Sequence, residues 1–297
     1  MRKYFTDLKS EKGVKLTVVP VAIIGRKYSG KTSLLRSLKS GRRTLTCRSR
    51  PSLSDESNEL LSEGSFLEEA TKVFEVHDLR LPNAELKMID FGGHEIYHIA
   101  YQLMVKERYL PMIVVNMEEF DIISSSRGPK EATRKTCFDW MSHVYLACPG
   151  LGPPILVLTH TDRLTAQRFE ERKIQLLKMA EVLRQEWLVS ERERGGQPAN
   201  RVVHLSNEQV SVFSAEDIFE FSNDTSEVSN IRNLTSLLDE RCQAFHVTIP
   251  RLWEKVSEFI DEQQDSAYLD LSQITSVFSD DDCLIIIRFM HNTGSIL

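Results

Sequence analysis

Short apolar runs alternate along the chain with longer segments in which apolar residues recur every three or four positions. The short runs predict six strands, at residues 16–24, 72–81, 86–89, 110–117, 155–158 and 209–213. The longer segments predict helices over 31–40, 130–147, 166–194 and 230–245, with a further helix after Pro250. Strands that alternate with helices in this way are typical of an α/β domain with a mostly parallel sheet.

Three features depart from this regular alternation. Pro82 and Asn83 form a turn signal between the second and third runs, which predicts that these two strands are an antiparallel hairpin. Pro20 lies inside the first run and donates no ladder hydrogen bond, so we expect a strand start or a bulge there. Residues 42–70 pass from arginine-rich to serine-rich and acidic, which favours a long mobile loop.

Composition narrows the class of protein. Of the 297 residues, 41% are hydrophobic and 27% are charged, which is typical of a globular chain of about two domains. The 43 acidic residues exceed the 37 basic ones, and the resulting net charge of −6 disfavours binding to nucleic acid. The apolar runs are too short to cross a bilayer, and the five scattered cysteines fit neither a disulfide framework nor a zinc site. We therefore expect a cytoplasmic protein without a transmembrane segment.

The motif with the clearest chemistry is G-R-K-Y-S-G-K-T at residues 25–32, between the first predicted strand and the first predicted helix. It matches the G-x-x-x-x-G-K-[ST] pattern of the P-loop, whose backbone N–H groups surround phosphates at a helix N-terminus. In this pattern Lys31 reaches the β- and γ-phosphates, and Thr32 binds Mg²⁺. The alternative is a chance match in a Gly/Ser turn. The residues expected to bind the nucleotide here are Gly25, Arg26, Lys27, Tyr28, Ser29, Gly30, Lys31, Thr32 and Ser33.

A second candidate site follows the third predicted strand, where the chain reads Asp90-Phe91-Gly92-Gly93. Asp90 is placed to hold Mg²⁺ through water, and Gly93 is placed to offer its N–H to the γ-phosphate. The alternative for Asp90 is a solvated residue at the end of a strand. Beside the P-loop, we interpret it as part of a magnesium site.

A third candidate site is Thr159-His160-Thr161-Asp162, directly after the fifth predicted strand. The carboxylate of Asp162 can accept hydrogen bonds from the ring N–H and the exocyclic amine of guanine, two donors that adenine lacks there. Thr159 and His160 stand where most small G proteins have asparagine and lysine. The alternative is a solvated loop in which Asp162 caps the next helix.

These motifs together resemble the Roc domain of the Roco family, which includes the leucine-rich repeat kinases. The resemblance rests on Thr-His-x-Asp, on the Asp-Phe-x-Gly motif and on the run at residues 138–149, and it extends to segments at 248–255 and 289–297 that are similar to a COR domain. It implies a Ras-like GTPase fold with a six-stranded sheet, followed by the start of a winged-helix-like COR domain. The implied division is an N-terminal extension at 1–15, Roc at 16–246 and a truncated COR at 247–297.

The resemblance also assigns residues outside the three motifs. It implies that Thr71 is the switch threonine that binds Mg²⁺ and senses the γ-phosphate, although a plain strand-start threonine remains an alternative. His94 takes the place of the water-orienting glutamine and is the candidate catalytic residue together with Gly93; an exposed histidine without a chemical role is the alternative. Ser214 and Ala215 resemble the loop whose backbone meets guanine, with a generic turn as the alternative.

The implied activity is Mg²⁺-dependent hydrolysis of GTP to GDP and phosphate by a nucleotide-dependent switch in intracellular signalling. Roco relatives often dimerise through COR, so a homodimer is an implied partner arrangement beside GTP and GDP. Two alternatives stay open: a catalytically weak nucleotide-binding scaffold, favoured by His94 and the altered base motif, and an ATP-binding NTPase.

Overall fold

A six-stranded, mostly parallel β-sheet organises the chain. The computed structural model describes residues 13–16, 18–40, 74–93, 105, 109–147, 153–193, 211–222, 229–243, 247–262, 271–275 and 284–288. The strands are β1 (Val14–Leu16), β2 (Val18–Ile24), β3 (Phe74–Arg80), β4 (Glu85–Phe91), β5 (Leu110–Asn116), β6 (Ile155–Thr159), β7 (Ile218–Phe221) and β8 (Val247–Ile249).

The strand order in the large sheet is β3-β4-β2-β5-β6-β7. Strands β3 and β4 pair antiparallel, and every other pair in this sheet is parallel. The predicted α/β class, the six-stranded sheet and the hairpin are therefore confirmed. Because β2, β4, β5 and β6 run in the same direction, the loops that follow them meet at one edge of the sheet.

The helices that cover the sheet are α1 (Lys31–Ser40), α2 (Met117–Arg127), α3 (Pro129–Thr133), α4 (Asp139–Ala147), α5 (Ala166–Glu193), α6 (Ser229–Gln243), α7 (Arg251–Glu262) and α8 (Leu271–Thr275). One π-helical turn, Arg134–Phe138, joins α3 to α4, and residues 284–288 are also helical. Sequence analysis missed α2, because its three consecutive serines break the apolar period.

Two hydrophobic cores lie on opposite faces of the sheet. Ala22 and Ile24 of β2 point into one core with residues of α3 to α5, whereas Val21 and Ile23 point into the other with residues of α1 and α6. This alternation is the period of two that a strand imposes on its side chains. Both faces of β2 are buried, so the strand is apolar throughout.

Two prolines lie inside strands of the large sheet. Each lies one residue before the point at which its strand begins to pair with the next strand of the sheet. Pro20 of β2 precedes Val21, the first residue that pairs with β5. Pro111 of β5 precedes Met112, the first residue that pairs with β6. A missing N–H is tolerated where one side of the strand has no neighbour, so β2 needs no bulge at Pro20.

The predicted position of the sixth strand was wrong. Residues 211–213 are not a strand, whereas Ile218–Phe221 is, and it pairs with β6. Val212 and Phe213 are nevertheless buried in the core, which explains their apolar character. The real strand was hidden because it contains Glu220, whose carboxylate accepts a 2.6 Å hydrogen bond from Lys173.

The small sheet pairs the beginning of the described chain with a segment that follows α6. Strands β1 and β8 are antiparallel, with Val14 opposite Ile249. Trp253 of α7 is 1% exposed, and Ile249 and Val256 are buried with it.

The domain boundaries predicted from sequence remain a prediction. The predicted loop at 42–70 lies outside the described residues, and none of the described helices is both long and apolar enough to span a membrane.

A buried ion pair holds the amino end of β7 and gives a test of its position. Asp217 is 1% exposed and pairs with Arg241 of α6, which also donates a 2.9 Å hydrogen bond to the Pro153 carbonyl. Asp217→Asn leaves a mostly buried guanidinium without its counter-charge, so we expect a loss of about 3 kcal/mol in the free energy of unfolding, measured in urea. The exposed neighbour Glu216→Gln should change it by less than about 0.5 kcal/mol. Equal stability of the two variants would contradict this account.

Candidate functional site

The loop between β2 and α1 is shaped by two glycines. Gly25 lies so close to β5 that an added Cβ would stand 2.3 Å from the Val114 carbonyl oxygen. Gly30 has a φ of +88°, which L side chains rarely adopt, and it leads directly into α1. The spacing of the two glycines in the sequence motif therefore has a steric cause at each end.

Lys31 is buried beneath this loop, with its ammonium turned toward the loop backbone. Its Nζ donates hydrogen bonds of 2.9 Å to the Gly25 carbonyl and 3.0 Å to the Arg26 carbonyl. Burial lowers the pKa of Lys31 from 10.5 to about 8, against the opposing effect of the nearby Asp90 carboxylate. The protein thus keeps a poorly solvated positive charge directly under the loop.

Asp90 supplies the matching buried carboxylate from the end of β4. It is fully buried, and Thr32 Oγ1 donates a 2.5 Å hydrogen bond to its Oδ2. Burial raises the pKa of Asp90, while the bond from Thr32 and the charge of Lys31 act in the opposite direction. Among the described residues, Asp90 Oδ1 has no hydrogen-bond partner.

An unpartnered, buried carboxylate oxygen beside a threonine hydroxyl fits Mg²⁺, which prefers oxygen ligands. Within the described ranges no group of three or more His, Cys, Asp and Glu side chains could hold a metal. Mg²⁺ itself commonly takes only one or two protein ligands and completes its shell with water and phosphate. Thr32 and Asp90 are the residues that would hold it.

Gly93 brings the segment after β4 onto the P-loop. The Lys27 N–H donates a 2.9 Å hydrogen bond to the Gly93 carbonyl. A Cβ added at Gly93 would stand 2.3 Å from the Lys27 nitrogen, so a side chain here would collide with backbone. The Asp90 motif and the P-loop are therefore in direct contact, as their spacing predicts.

Thr159 supports the P-loop from the end of β6. Its Oγ1 lies 2.7 Å from the Ser29 carbonyl and 3.2 Å from the Val115 carbonyl. Thr159, which stands where most small G proteins have asparagine, thus links the P-loop backbone to β5.

Asn116 and Glu119 support the loop from the other side, and sequence analysis missed both. Asn116 is buried at the N-cap of α2, where its Oδ1 accepts from two backbone N–H groups, and its Nδ2 donates a 3.3 Å bond to the Tyr28 carbonyl. Glu119 pairs with Arg26. The N-cap signal of an Asn before two glutamates was present in the sequence, but nothing local indicated the contact with Tyr28, which has a φ of +64°.

His160 and Asp162 lie in the turn that follows β6. His160 has a φ of +55°, and its Cε1 would be 3.5 Å from a Cβ added at Gly30, so the ring lies over the end of the P-loop. The Asp162 side chain is 10% exposed, and the Arg163 Nε lies 3.7 Å from its Oδ2. At the start of α5, Thr165 Oγ1 accepts a hydrogen bond from the Arg168 N–H. Thr165 therefore caps this helix, and Asp162 does not.

Other predicted site residues fall elsewhere. Ser214 and Ala215 precede β7 instead of following it, so they lie at its amino end, away from the edge where the P-loop lies. The residue after β7 is Ser222, which is buried and follows Phe221, the partner of Thr159 in the sheet register. Thr71 and His94 lie outside the described residues, so their roles remain predictions.

Comparison with known proteins adds evidence on the fold. No family model and no curated protein sequence matches the chain. A solved structure of Methanosarcina barkeri Roco2 RocCORdC bound to GDP does, with a TM-score of 0.50 and 14% identity over 96% of this chain and 69% of that one. The chain thus shares the fold of that protein. The predicted resemblance and the predicted α/β fold class are thereby confirmed at the level of fold.

Two elongation factors match the Roco-like chain less closely. A bacterial selenocysteine-specific factor, EF-Sec, has a TM-score of 0.40 and 16% identity, over 75% of this chain and 29% of that one. SelB of Methanococcus maripaludis, in complex with the GTP analogue GppNHp, has a TM-score of 0.42 and 15% identity, over 76% and 34%. The chain spans about a third of each factor.

The lowered pKa of Lys31 predicts how the stability of the nucleotide-free protein depends on pH. Between about pH 8 and 10.5 the folded state has lost this proton while the unfolded state keeps it, so folding becomes more favourable as pH rises. We expect the free energy of unfolding of wild type, relative to Lys31→Met, to rise by about 3 kcal/mol across this range. Below pH 8 the difference should be constant.

Urea unfolding at several pH values tests this expectation. The exposed Lys39→Met is the matched control, and its difference from wild type should not change with pH in the same way. Parallel pH profiles for wild type and Lys31→Met would show that Lys31 is not desolvated.

Proposed function

We propose that this chain binds guanine nucleotides and hydrolyses GTP to GDP and phosphate with Mg²⁺. The observation that carries the proposal is the convergence of three separate segments at one edge of the sheet: the P-loop, the Asp90–Gly93 segment and the turn at Thr159–Asp162. Each segment is far from the next in sequence, and each has the side chain or backbone group that nucleotide hydrolysis requires.

The P-loop is proposed to bind the phosphates. Carbonyl groups of Gly25, Arg26, Tyr28 and Ser29 are all occupied by side-chain donors behind the loop. The Lys27 and Ser29 N–H groups are bonded to the Gly93 and Arg26 carbonyls, so the proposal assigns the other N–H groups of the loop to the anion, at the N-terminus of α1. Lys31 adds a positive charge whose poor solvation strengthens its attraction to a phosphate.

Thr32 and Asp90 are proposed to hold Mg²⁺, with Thr71 as a further ligand implied by the family resemblance. When bound, the ion would neutralise charge on the β- and γ-phosphates. Gly93 would offer its N–H to the γ-phosphate, and His94 would orient the attacking water. Hydrolysis forms a bond from the water oxygen to the γ-phosphorus and breaks the bond to the β–γ bridging oxygen.

Asp162 is proposed to select guanine over adenine. Its carboxylate is largely buried, and the Nε of Arg163 lies 3.7 Å from its Oδ2, beyond hydrogen-bond distance. Such a carboxylate can accept both donors on the guanine edge, whereas adenine would leave it without them. His160, over the end of the P-loop, is in position to cover the base.

We further propose that the chain acts as a switch and that its two predicted domains communicate through β1. Strand β1 pairs with β8 at the start of the proposed COR region, and it is separated by one residue from β2, which leads into the P-loop. A change in the P-loop therefore has a short route to the residues after 246, along β2 and β1 and then across the strand pairing to β8. Dimerisation through COR remains part of this proposal.

Calorimetry with GDP, ADP and XDP tests the base assignment. Asp162→Ala should weaken GDP binding at least tenfold, because two hydrogen bonds to guanine are lost. Asp162→Asn should shift preference toward XDP, because the amide N–H matches the C2 carbonyl of xanthine. Glu171→Gln, which removes an exposed carboxylate, is the control. Unchanged GDP affinity in Asp162→Ala, or preference of wild type for ADP, would refute the assignment.

A single-turnover assay tests hydrolysis separately. We expect slow phosphate release, on the order of 10⁻⁴ to 10⁻² per second, as in unassisted GTPases. Asp90→Asn should abolish the dependence of this rate on Mg²⁺, because it removes the carboxylate charge. Tight GTP binding with phosphate release equal to that of buffer would favour the scaffold alternative.

A further inference from the structure

The P-loop carries three positive side chains, and two of them are already paired or held. Arg26 forms an ion pair with Glu119. Lys31 is buried, hydrogen-bonded to two carbonyls and close to Asp90. Lys27 differs from both, because among the described residues it forms no ion pair, and its charge at the loop is not neutralised.

The Lys27 ammonium forms a cation–π contact with an aromatic ring. Its Nζ lies 4.8 Å from the centroid of the Tyr28 ring, and Tyr28 is 57% exposed. A cation–π contact with so exposed a ring is weak. The ammonium is therefore free to exchange this contact for a stronger one with an anion.

The backbone position of Lys27 determines where its ammonium could exchange the Tyr28 ring for an anion. Its N–H bonds to the Gly93 carbonyl, and Gly93 follows Asp90 by three residues. In the proposed function Gly93 is the group that meets the γ-phosphate. Lys27 thus lies where the P-loop touches the segment proposed to meet the γ-phosphate.

We propose that Lys27 binds the γ-phosphate and makes the site prefer GTP over GDP. This inference rests on the proposed function and assigns one residue to one phosphate. The Tyr28 ring holds the ammonium at the loop when the γ-phosphate is absent. A phosphate that gains a charged donor in this position binds more tightly, and the gain is confined to the triphosphate.

Paired affinities for GppNHp and GDP, measured by calorimetry with Mg²⁺, test the inference. The variants are Lys27→Met, which keeps the length and removes the charge, and Lys27→Arg, which keeps the charge. Lys39→Met, at an exposed position on α1, is the control. We expect Lys27→Met to lower the ratio of GppNHp to GDP affinity about tenfold while GDP affinity changes less than twofold. Lys27→Arg should retain most of the ratio.

Other results overturn the inference in distinguishable ways. An unchanged ratio in Lys27→Met, or an equal loss for both nucleotides, would show that Lys27 does not discriminate the γ-phosphate, with the proposed function intact. An equal loss together with a lower melting temperature of the nucleotide-free variant would show that Lys27 only supports the loop. Wild-type protein that binds neither nucleotide would overturn both the inference and the proposed function.

Discussion

The desolvated ammonium of Lys31 is the constraint around which the candidate site is arranged. A charge with so little water around it needs compensation, and it finds two carbonyls of its own loop and the carboxylate of Asp90 nearby. Asp90 is itself buried and only partly satisfied. Lys31 and Asp90 are thus two buried, opposite charges close together, which is the arrangement that the proposed phosphate and Mg²⁺ would require.

The loop that covers this pair is supported by groups from several strands. Thr159 from β6, Asn116 from β5 and Gly93 after β4 each contact its backbone. These residues are neighbours only because parallel strands end at a common edge, so the sheet topology is a requirement of the site and not merely its scaffold. The left-handed conformation of Tyr28 costs roughly 1–3 kcal/mol, and the surrounding contacts are what maintain it.

Most of the fold was predictable because its signals are local. Apolar runs and the turn at Pro82 identified five of the six strands of the large sheet and the hairpin. The P-loop was equally clear, because its glycine spacing follows from short-range steric contact. Strand β7 was misplaced because a buried irregular segment is as apolar as a strand, while β7 includes a charged residue with a distant partner. Asn116 and Glu119 were missed because their contacts join residues about 90 positions apart.

The pairing of β1 with β8 makes the two ends of the six-stranded domain depend on each other. A version of the protein that starts at β2 would leave the backbone N–H and C=O groups of Val247–Ile249 without their strand partner, and one that ends at α6 would do the same to Val14–Leu16. Neither strand of this two-stranded sheet has its hydrogen-bond partners without the other. The six-stranded domain and the segment that follows it are thus expected to fold as one cooperative unit, and separating them for study would alter both.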